Sequence, residues 1–214
     1  MNLLVIGANG GIGRQVVELA LNDGHNVTAV VRNPGNLKLS HPYLEIVKGD
    51  IMQPETFKEY LKGQDAVISA IGVRGGIFAD KPTTLYSDGN ANLLQAMKEA
   101  GAIRAFFISA SAVEISPELP WYVRLAAKYI IQKLLKHMYA DLLRMEQIAK
   151  QSNADWTIIR PPRLVDKPVT GQYRYAANKF LKNALSISRA DVAHFIINHV
   201  HDEAINHATV EIAY

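Results

Sequence analysis

The feature that most constrains the fold is a repeated alternation between short apolar runs and segments with helical periodicity. The apolar runs are rich in β-branched residues and fall at 3–7, 26–31, 44–49, 65–71, 105–110 and 155–160. In these runs the side chains that would point to either face of a sheet are apolar, which is typical of parallel strands buried on both faces. Helical patterns cover 11–22, 54–62, 83–100 and 120–151. This alternation predicts an α/β fold with a doubly wound, mostly parallel sheet and helices on both faces.

Beyond residue 160 the strands and helices follow one another less regularly, but both kinds of pattern continue. A loop leads to a short strand near 171–176, a helix over 189–200 and a last strand near 208–214. No repeat, low-complexity tract or linker interrupts the sequence. We therefore predict one domain over 1–214, with a substrate region built from 73–82, 111–140 and 161–188.

Composition narrows the classes of function. With 214 residues and 49% hydrophobic residues, the chain can bury one sizeable core. It has no cysteine, which excludes a disulfide framework, a thiolate metal site and a cysteine nucleophile. Neither a secretory signal nor an apolar run of membrane-spanning length is present. The histidines near the C-terminal end lack a matching metal-ligand motif. We expect a cytoplasmic monomer or homodimer with a small-molecule substrate, no nucleic-acid partner, no stable membrane insertion and no metal.

Three glycines with regular spacing follow the first predicted strand. Gly7, Gly10 and Gly13 form a G-x-x-G-x-x-G pattern that leads directly into the first helical segment. Glycines in this position permit a tight turn, let backbone N–H groups approach a pyrophosphate and allow the helix to pack closely on the sheet. Because a strand precedes the pattern and a helix follows it, we predict a Rossmann-like dinucleotide site.

The end of the second strand indicates which dinucleotide is bound. NAD-dependent folds usually place a carboxylate there for the ribose 2′-hydroxyl, whereas an arginine accommodates a 2′-phosphate. This strand ends in Arg32 and Asn33, with no carboxylate. The sequence therefore favours NADP(H), with Arg14 as a possible second cation. The alternative is that Arg32 is a solvated loop residue.

Several motifs in order along the chain resemble one family. They are GANGGIG, KGD, GQDAVISAIG, FFISASA, DWTIIRPP, PVTGQYR and SRADVAHFI. Together they resemble the atypical short-chain dehydrogenase/reductases, and within them the NmrA-like NAD(P)H-binding family that includes biliverdin reductase B, also called flavin reductase. The resemblance covers nearly the whole chain. It is specific for the fold and much less so for the substrate.

The resemblance implies a set of cofactor contacts. The pyrophosphate would be held by Gly7, Asn9, Gly10, Gly11, Ile12 and Gly13. The 2′-phosphate would lie on Arg32, and the adenine between Asp50 and Ile51. Further along, the cofactor would be lined by Ala70, Ile71, Gly72 and Ser109, and the nicotinamide by Pro161, Pro162 and Arg163.

Candidate catalytic residues are less distinctive than the cofactor residues. Many short-chain dehydrogenases use a tyrosine whose pKa is lowered by a lysine four residues later. Tyr129 and Lys133 have this spacing, although such a match is common by chance. The family's tyrosine position corresponds better to Tyr139, whose fourth neighbour is Leu143. Ser111 at the end of the fifth strand is the preferred polar contact, with hydrogen bonding at the strand end as the structural alternative.

The segment 121–150 is longer than the flavin reductases lead us to expect. Apolar residues recur in it at helical spacing, with basic residues off that stripe. One or two helices packed on the sheet are the simplest interpretation. A substrate lid, a subunit interface and a basic helix at a membrane surface are the alternatives, and Trp121 and Tyr122 could wall an aromatic substrate.

These observations favour an NADPH-dependent oxidoreductase that transfers a hydride to a small conjugated acceptor, such as a flavin or quinone. Histidines that the flavin reductases lead us to expect near Leu142 and Arg163 are absent, which argues against biliverdin. The main alternative is a non-catalytic NADP(H)-binding sensor of the NmrA-like type. A weaker one is an NAD-dependent enzyme related to epimerases and dehydratases.

Overall fold

An eight-stranded sheet forms the centre of the molecule. The computed structural model describes residues 1–72 and 82–214, so most of the predicted substrate stretch 73–82 lies outside the described residues. The strand order is β3-β2-β1-β4-β5-β6-β10-β8, with all neighbours parallel except the antiparallel pair β10 and β8. These strands are β1 (Asn2–Ile6), β2 (Asn26–Val31), β3 (Leu44–Lys48), β4 (Ala66–Ser69), β5 (Arg104–Ile108), β6 (Asp155–Arg160), β8 (Arg174–Ala177) and β10 (Ala208–Ala213). A separate parallel pair joins β7 (Arg163–Val165) to β9 (Ser186–Ser188).

Helices cover both faces of the sheet. α1 (Gly11–Asn22) packs with α6 (Arg189–Asn198), and α2 (Leu85–Ala100) packs with α5 (Lys136–Gln151). Before α5 come α3 (Trp121–Ala126), a π-helical turn (Ala127–Ile131) and α4 (Gln132–Leu134). No helix in the described ranges has both the length and the apolar character needed to cross a bilayer.

The strands place alternate side chains in two separate hydrophobic cores. In β1, Leu3 and Val5 join the core beneath α1 and α6, whereas Leu4 and Ile6 join the core beneath α2 and α5. This division follows from the two-residue period of a strand. The prediction of a doubly wound, mostly parallel sheet with helices on both faces in a single domain is confirmed.

Two details of the predicted secondary structure are wrong, and a third was left open by the sequence. The helix expected over 54–62 is two 3-10 turns, Pro54–Thr56 and Lys58–Leu61, separated at Phe57 by a φ of −140°. The helical stretch over 120–151, for which one or two helices were expected, is divided at Leu135, where φ is −107° and ψ is 18°. The loop expected after residue 160 contains β7, whose partner β9 follows more than 20 residues later.

Candidate cofactor site

A cleft of about 600 Å³ opens at the carboxyl ends of β1 to β5. From β1 the chain adds β2 and then β3 on one side of this strand, and it later returns to add β4 and β5 on the other side. The cleft therefore lies at the point where the direction of winding reverses. Open α/β sheets bind their ligands at such a point. Of the predicted cofactor residues, the cleft is lined by Gly7, Asn9, Gly10, Gly11, Ile12, Arg32, Asp50, Ile51, Ala70, Ile71, Gly72 and Ser109.

The glycine loop has no room for side chains at two positions. Gly7 has a φ of +81°, and a Cβ there would lie 2.5 Å from the carbonyl oxygen of Ala70. A Cβ at Gly13 would collide with the Gly7 carbonyl, so this glycine permits close packing of α1 and does not itself line the cleft. The Gly10 N–H donates to the Gly7 carbonyl at 2.8 Å and closes the turn. The cradle thus exposes backbone rather than side chains, as a pyrophosphate site requires.

The N-terminus of α1 faces the cleft without a side-chain cap. Gly10 occupies the N-cap position and offers no side-chain acceptor to the first-turn N–H groups. These donors and the helix dipole favour an anion. Arg189 places a positively charged guanidinium near the same terminus. Its side chain lies so close to Gly11 that a Cβ there would collide with it, and both residues line the cleft. The Arg189 guanidinium also pairs with Asp166 at 2.7 Å.

Sequence reasoning missed Arg189 as a site residue because it is far from the glycine motif in the chain. Its position at the first residue of α6, after a short strand, was the available signal. Arg14, predicted as a second cation beside Arg32, does not line the cleft and pairs with Glu18 at 2.9 Å on the surface of α1.

One end of the cleft has the composition expected for the adenosine half of a dinucleotide. Arg32 lines it directly after β2, and within the described residues its side chain has no ion-pair or hydrogen-bond partner. Asn33 lies beside it, with its side chain accepting from the Gly35 N–H at 3.2 Å. Asp50 follows β3 and accepts from the Met52 N–H at 3.0 Å. An unpaired guanidinium here fits a 2′-phosphate.

The other end of the cleft is mostly apolar. It is lined by Leu85, Tyr86, Ile108, Met138, Leu142 and Leu164. None of them was predicted individually, although Met138 and Leu164 fall in the predicted substrate region 111–140 and 161–188. Asp141, buried on α5, fixes the start of α2 here by accepting from the backbone N–H groups of Tyr86 at 2.9 Å and Ser87 at 3.3 Å. An apolar wall of this kind suits a ring system.

A buried ion pair supports the cleft behind Ser109. The Ser109 hydroxyl donates to Glu146 at 2.7 Å, and the Arg160 guanidinium donates to both oxygens of the same carboxylate at 2.9 and 2.6 Å. Burial acts to raise the pKa of Glu146, but the hydrogen bonds and charge of Arg160 outweigh it, so the net shift is downward. Glu146 also holds the pKa of Arg160 above its ordinary value against desolvation. The pair is fully charged, and Ser109 is held as a donor toward it.

The predicted catalytic residues lie outside this cleft. Ser111 lines a neighbouring cavity of about 40 Å³ together with Glu211, and its backbone N–H donates to Pro161 at 3.0 Å. Tyr139 is buried in the core beneath α2 and α5, where burial raises the pKa of its hydroxyl. Tyr129 and Lys133 are both exposed. The structure therefore does not bring the four residues together.

The segment that follows β6 contributes differently from the prediction. The cleft is not lined by Pro161, Pro162 or Arg163; Leu164 takes this part of the wall. Arg163 is the first residue of β7, whose pairing with β9 determines the path of this segment. Among residues 1–72 and 82–214, no three histidine or acidic side chains are grouped as metal ligands.

The fold and the cleft together define a Rossmann-type dinucleotide-binding protein. Residues 7–203 match the model of an NAD(P)H-binding family, so the chain belongs to that family. It is 34% identical over 200 residues to the uncharacterized sugar epimerase YhfK of Bacillus subtilis (strain 168), covering 92% of this chain and 86% of YhfK. It is 30% identical over 216 residues to the chloroplastic Arabidopsis thaliana protein At2g34460, covering 98% and 75% of the two chains.

A solved structure with the same fold is that of ChuY, an anaerobillin reductase from Escherichia coli O157:H7. The TM-score is 0.77 and the sequence identity 22%, over 100% of this chain and 97% of ChuY. At this identity the likeness concerns the fold. The family match is what identifies the bound group as a nicotinamide dinucleotide, in agreement with the glycine cradle and the uncapped helix terminus.

Proposed function

We propose that this protein is an NADPH-dependent oxidoreductase that transfers a hydride to a small conjugated acceptor, such as a flavin or quinone. The observation that carries the proposal is the composition of one continuous cleft. It runs from the unpaired Arg32, past the glycine loop, to the apolar wall that includes Met138 and Leu142. Its volume is typical of a site that holds a cofactor with a small ligand.

Each part of the cleft has a separate task in this proposal. Arg32 binds the 2′-phosphate, and the α1 N-terminus with Arg189 binds the pyrophosphate. The reduced nicotinamide supplies the hydride when it is bound. The apolar wall orients the acceptor ring and excludes water from it.

The proton that accompanies the hydride comes from solvent or from a hydroxyl group. The Ser109 hydroxyl already donates a hydrogen bond to Glu146, so it can only accept a hydrogen bond from a ligand. Ser111 makes no side-chain hydrogen bond within the described residues but lines the neighbouring cavity rather than the cleft, so as the preferred carrier it would have to act through solvent. We expect Ser111→Ala to reduce turnover while the affinity for NADPH stays nearly unchanged. Unaltered turnover would remove Ser111 from the mechanism.

A non-catalytic NADP(H) sensor is the second candidate. It is favoured by the positions of the tyrosines: Tyr139 is buried, with its pKa raised and no lysine one turn later, and Tyr129 lies on an exposed segment outside the cleft. An epimerase is a third candidate, suggested by the name of the relative YhfK. In each case we expect a cytoplasmic monomer or homodimer without a nucleic-acid partner.

Binding of NADPH and NADH to the wild type and to Arg32→Ala tests the cofactor. A charge-assisted phosphate contact contributes about 1.5–3 kcal/mol, so Arg32→Ala should weaken NADPH binding by roughly 10- to 150-fold and leave NADH nearly unaffected. Arg14→Ala is the matched control, because it removes an arginine outside the cleft. Equal affinities of the wild type for the two cofactors would contradict the role of Arg32.

Oxidation of bound NADPH then distinguishes the candidate functions. Flavins, quinones and aldehydes are added in turn while the absorbance of the reduced nicotinamide is followed. Acceptor-dependent oxidation supports the reductase. Tight binding without oxidation favours the sensor, and conversion of a nucleotide sugar without net oxidation of the cofactor favours the epimerase.

A further inference from the structure

Residues 121–134, which we call the arm, leave an unusual amount of apolar surface open to solvent. The arm comprises α3, the π-helical turn and α4, and no side chain in it is buried although the whole arm is described. Half of the large exposed apolar side chains of the described residues are found in these 14 positions. They are Trp121, Tyr122, Leu125, Tyr129, Ile130, Ile131 and Leu134.

The continuation of the chain shows that this exposure is specific to the arm. α5 follows directly and buries Tyr139, Leu142, Met145 and Ala149 in the core. The arm instead touches the body of the molecule at its edge, where the Gln132 side chain donates to the Ala112 carbonyl at 3.2 Å. Ala127 lines a small cavity of the body, but seven large apolar side chains of the arm remain exposed. A concentration of exposed apolar side chains of this kind is typical of an interaction site.

The charges on the arm determine which partner fits. Arg124, Lys128 and Lys133 on the arm and Lys136 at the start of α5 are exposed, and 121–136 contains no acidic residue. A symmetric contact with a second copy would bring the same basic segment of both chains into one interface, with no acidic side chain from 121–136 to offset the charge. An anionic partner with an apolar interior suits both sets of side chains. Aromatic rings and aliphatic side chains beside lysine and arginine are the composition of helices that lie in the interface of an anionic bilayer.

We propose that the arm docks the protein on the surface of membranes that contain anionic phospholipid. Trp121, Leu125 and Ile130 enter the boundary between headgroups and acyl chains, and the four cations contact the lipid phosphates. The π-helical turn at Ala127–Ile131 changes the helical phase within the arm and so affects which side chains face the lipid. This docking is independent of the identity of the cofactor or acceptor.

Vesicle binding tests the proposal. The wild type is sedimented with vesicles of phosphatidylcholine alone and with vesicles that also contain phosphatidylglycerol, at low and high salt. We expect binding to the anionic vesicles that weakens with salt. The variant Arg124→Gln/Lys128→Gln should bind about 30-fold more weakly, from a contribution of about fivefold for each cation. Lys58→Gln/Lys62→Gln removes two exposed lysines outside the arm and should bind like the wild type.

The two tryptophans provide a second readout. Trp121 is 72% exposed, whereas Trp156 is 7% exposed in the core. Insertion should shift the fluorescence emission to the blue, and Trp121→Phe should abolish the shift. Leu125→Ser/Ile130→Ser should weaken binding at least tenfold while the midpoint of thermal unfolding and the binding of NADPH stay unchanged.

Three results would overturn the proposal. The first is an absence of binding to anionic vesicles. The second is equal binding by the wild type and both arm variants. The third is a stable dimer in solution that the arm variants convert to monomer, because that would make a second copy the partner of this surface.

Discussion

Removal of the Glu146 carboxylate is expected to cost a large part of the stability of the fold. The carboxylate is 2% exposed and accepts hydrogen bonds from Ser109 and from two nitrogens of Arg160. Its loss leaves Arg160 buried, with the exposed Glu114 as its remaining ion-pair partner. Removing one partner of a buried ion pair typically costs about 3–5 kcal/mol, and the exposed Glu114 should offset only part of this loss. The whole unfolding free energy of a domain is about 5–15 kcal/mol.

Urea unfolding at neutral pH measures this loss for Glu146→Met. Glu18→Met is the matched control, since Glu18 forms a surface pair with Arg14 and its loss should cost about 0.5 kcal/mol or less. The double variant Glu146→Met/Arg160→Met removes both charges and should recover much of the stability of Glu146→Met. A loss below about 1 kcal/mol in Glu146→Met, or no recovery in the double variant, would refute the reasoning.

The sign of the pH dependence supplies a further check on the same pair. The net pKa of Glu146 is lowered in the folded state by Arg160, in opposition to burial. The stabilisation it provides is therefore present above the ordinary glutamate pKa and is lost as pH falls through the lowered pKa. The difference in unfolding free energy between the wild type and Glu146→Met should shrink in acid.

Two other buried carboxylates should respond to pH in opposite ways. Burial acts to raise the pKa of Asp191, but hydrogen bonds from Tyr214, Thr170, Gly171 and Ser188 outweigh it and lower the net pKa. Asp191→Asn should cost about 1.5–3 kcal/mol at neutral pH by urea unfolding, and less as pH falls through the lowered pKa. Burial raises the pKa of Glu211, whose Oε1 has no hydrogen-bond partner in the described structure. Glu211→Gln should gain stability relative to the wild type as pH rises through that pKa; a constant difference across this range would contradict the assignment.

Local signals in the sequence were sufficient to predict the first half of the site. Gly7 follows a strand and Gly13 enters an amphipathic helix, and α1 begins and ends where the pattern predicts. Arg32 and Asp50 follow their strands directly, so their place at the carboxyl edge results from the parallel sheet alone. Short-range sequence and the sheet topology together locate all of these residues.

The rest of the site depends on contacts between distant segments, which periodicity does not reveal. Arg160 ends an apolar strand and Glu146 lies on α5, and nothing in their spacing indicates that they pair. Phe57 and Leu61 have helical spacing, yet two separate 3-10 turns bury both residues. The apolar stripe continues without glycine or proline through Leu135, so the break there has no local signal.

The cleft lies at the reversal of winding, so a ligand in it contacts loops from both halves of the sheet. Arg32 and Asp50 lie on one side of the reversal, and Gly72 and Ser109 lie on the other. A dinucleotide that spans them bridges two sets of loops, and it binds the folded chain but not the unfolded one. When the free concentration of such a ligand is a hundred times its dissociation constant, the ligand adds about 2.7 kcal/mol to the unfolding free energy. Degradation that proceeds through global unfolding should then slow about a hundredfold, so the cellular dinucleotide pool would help to set the lifetime of this chain.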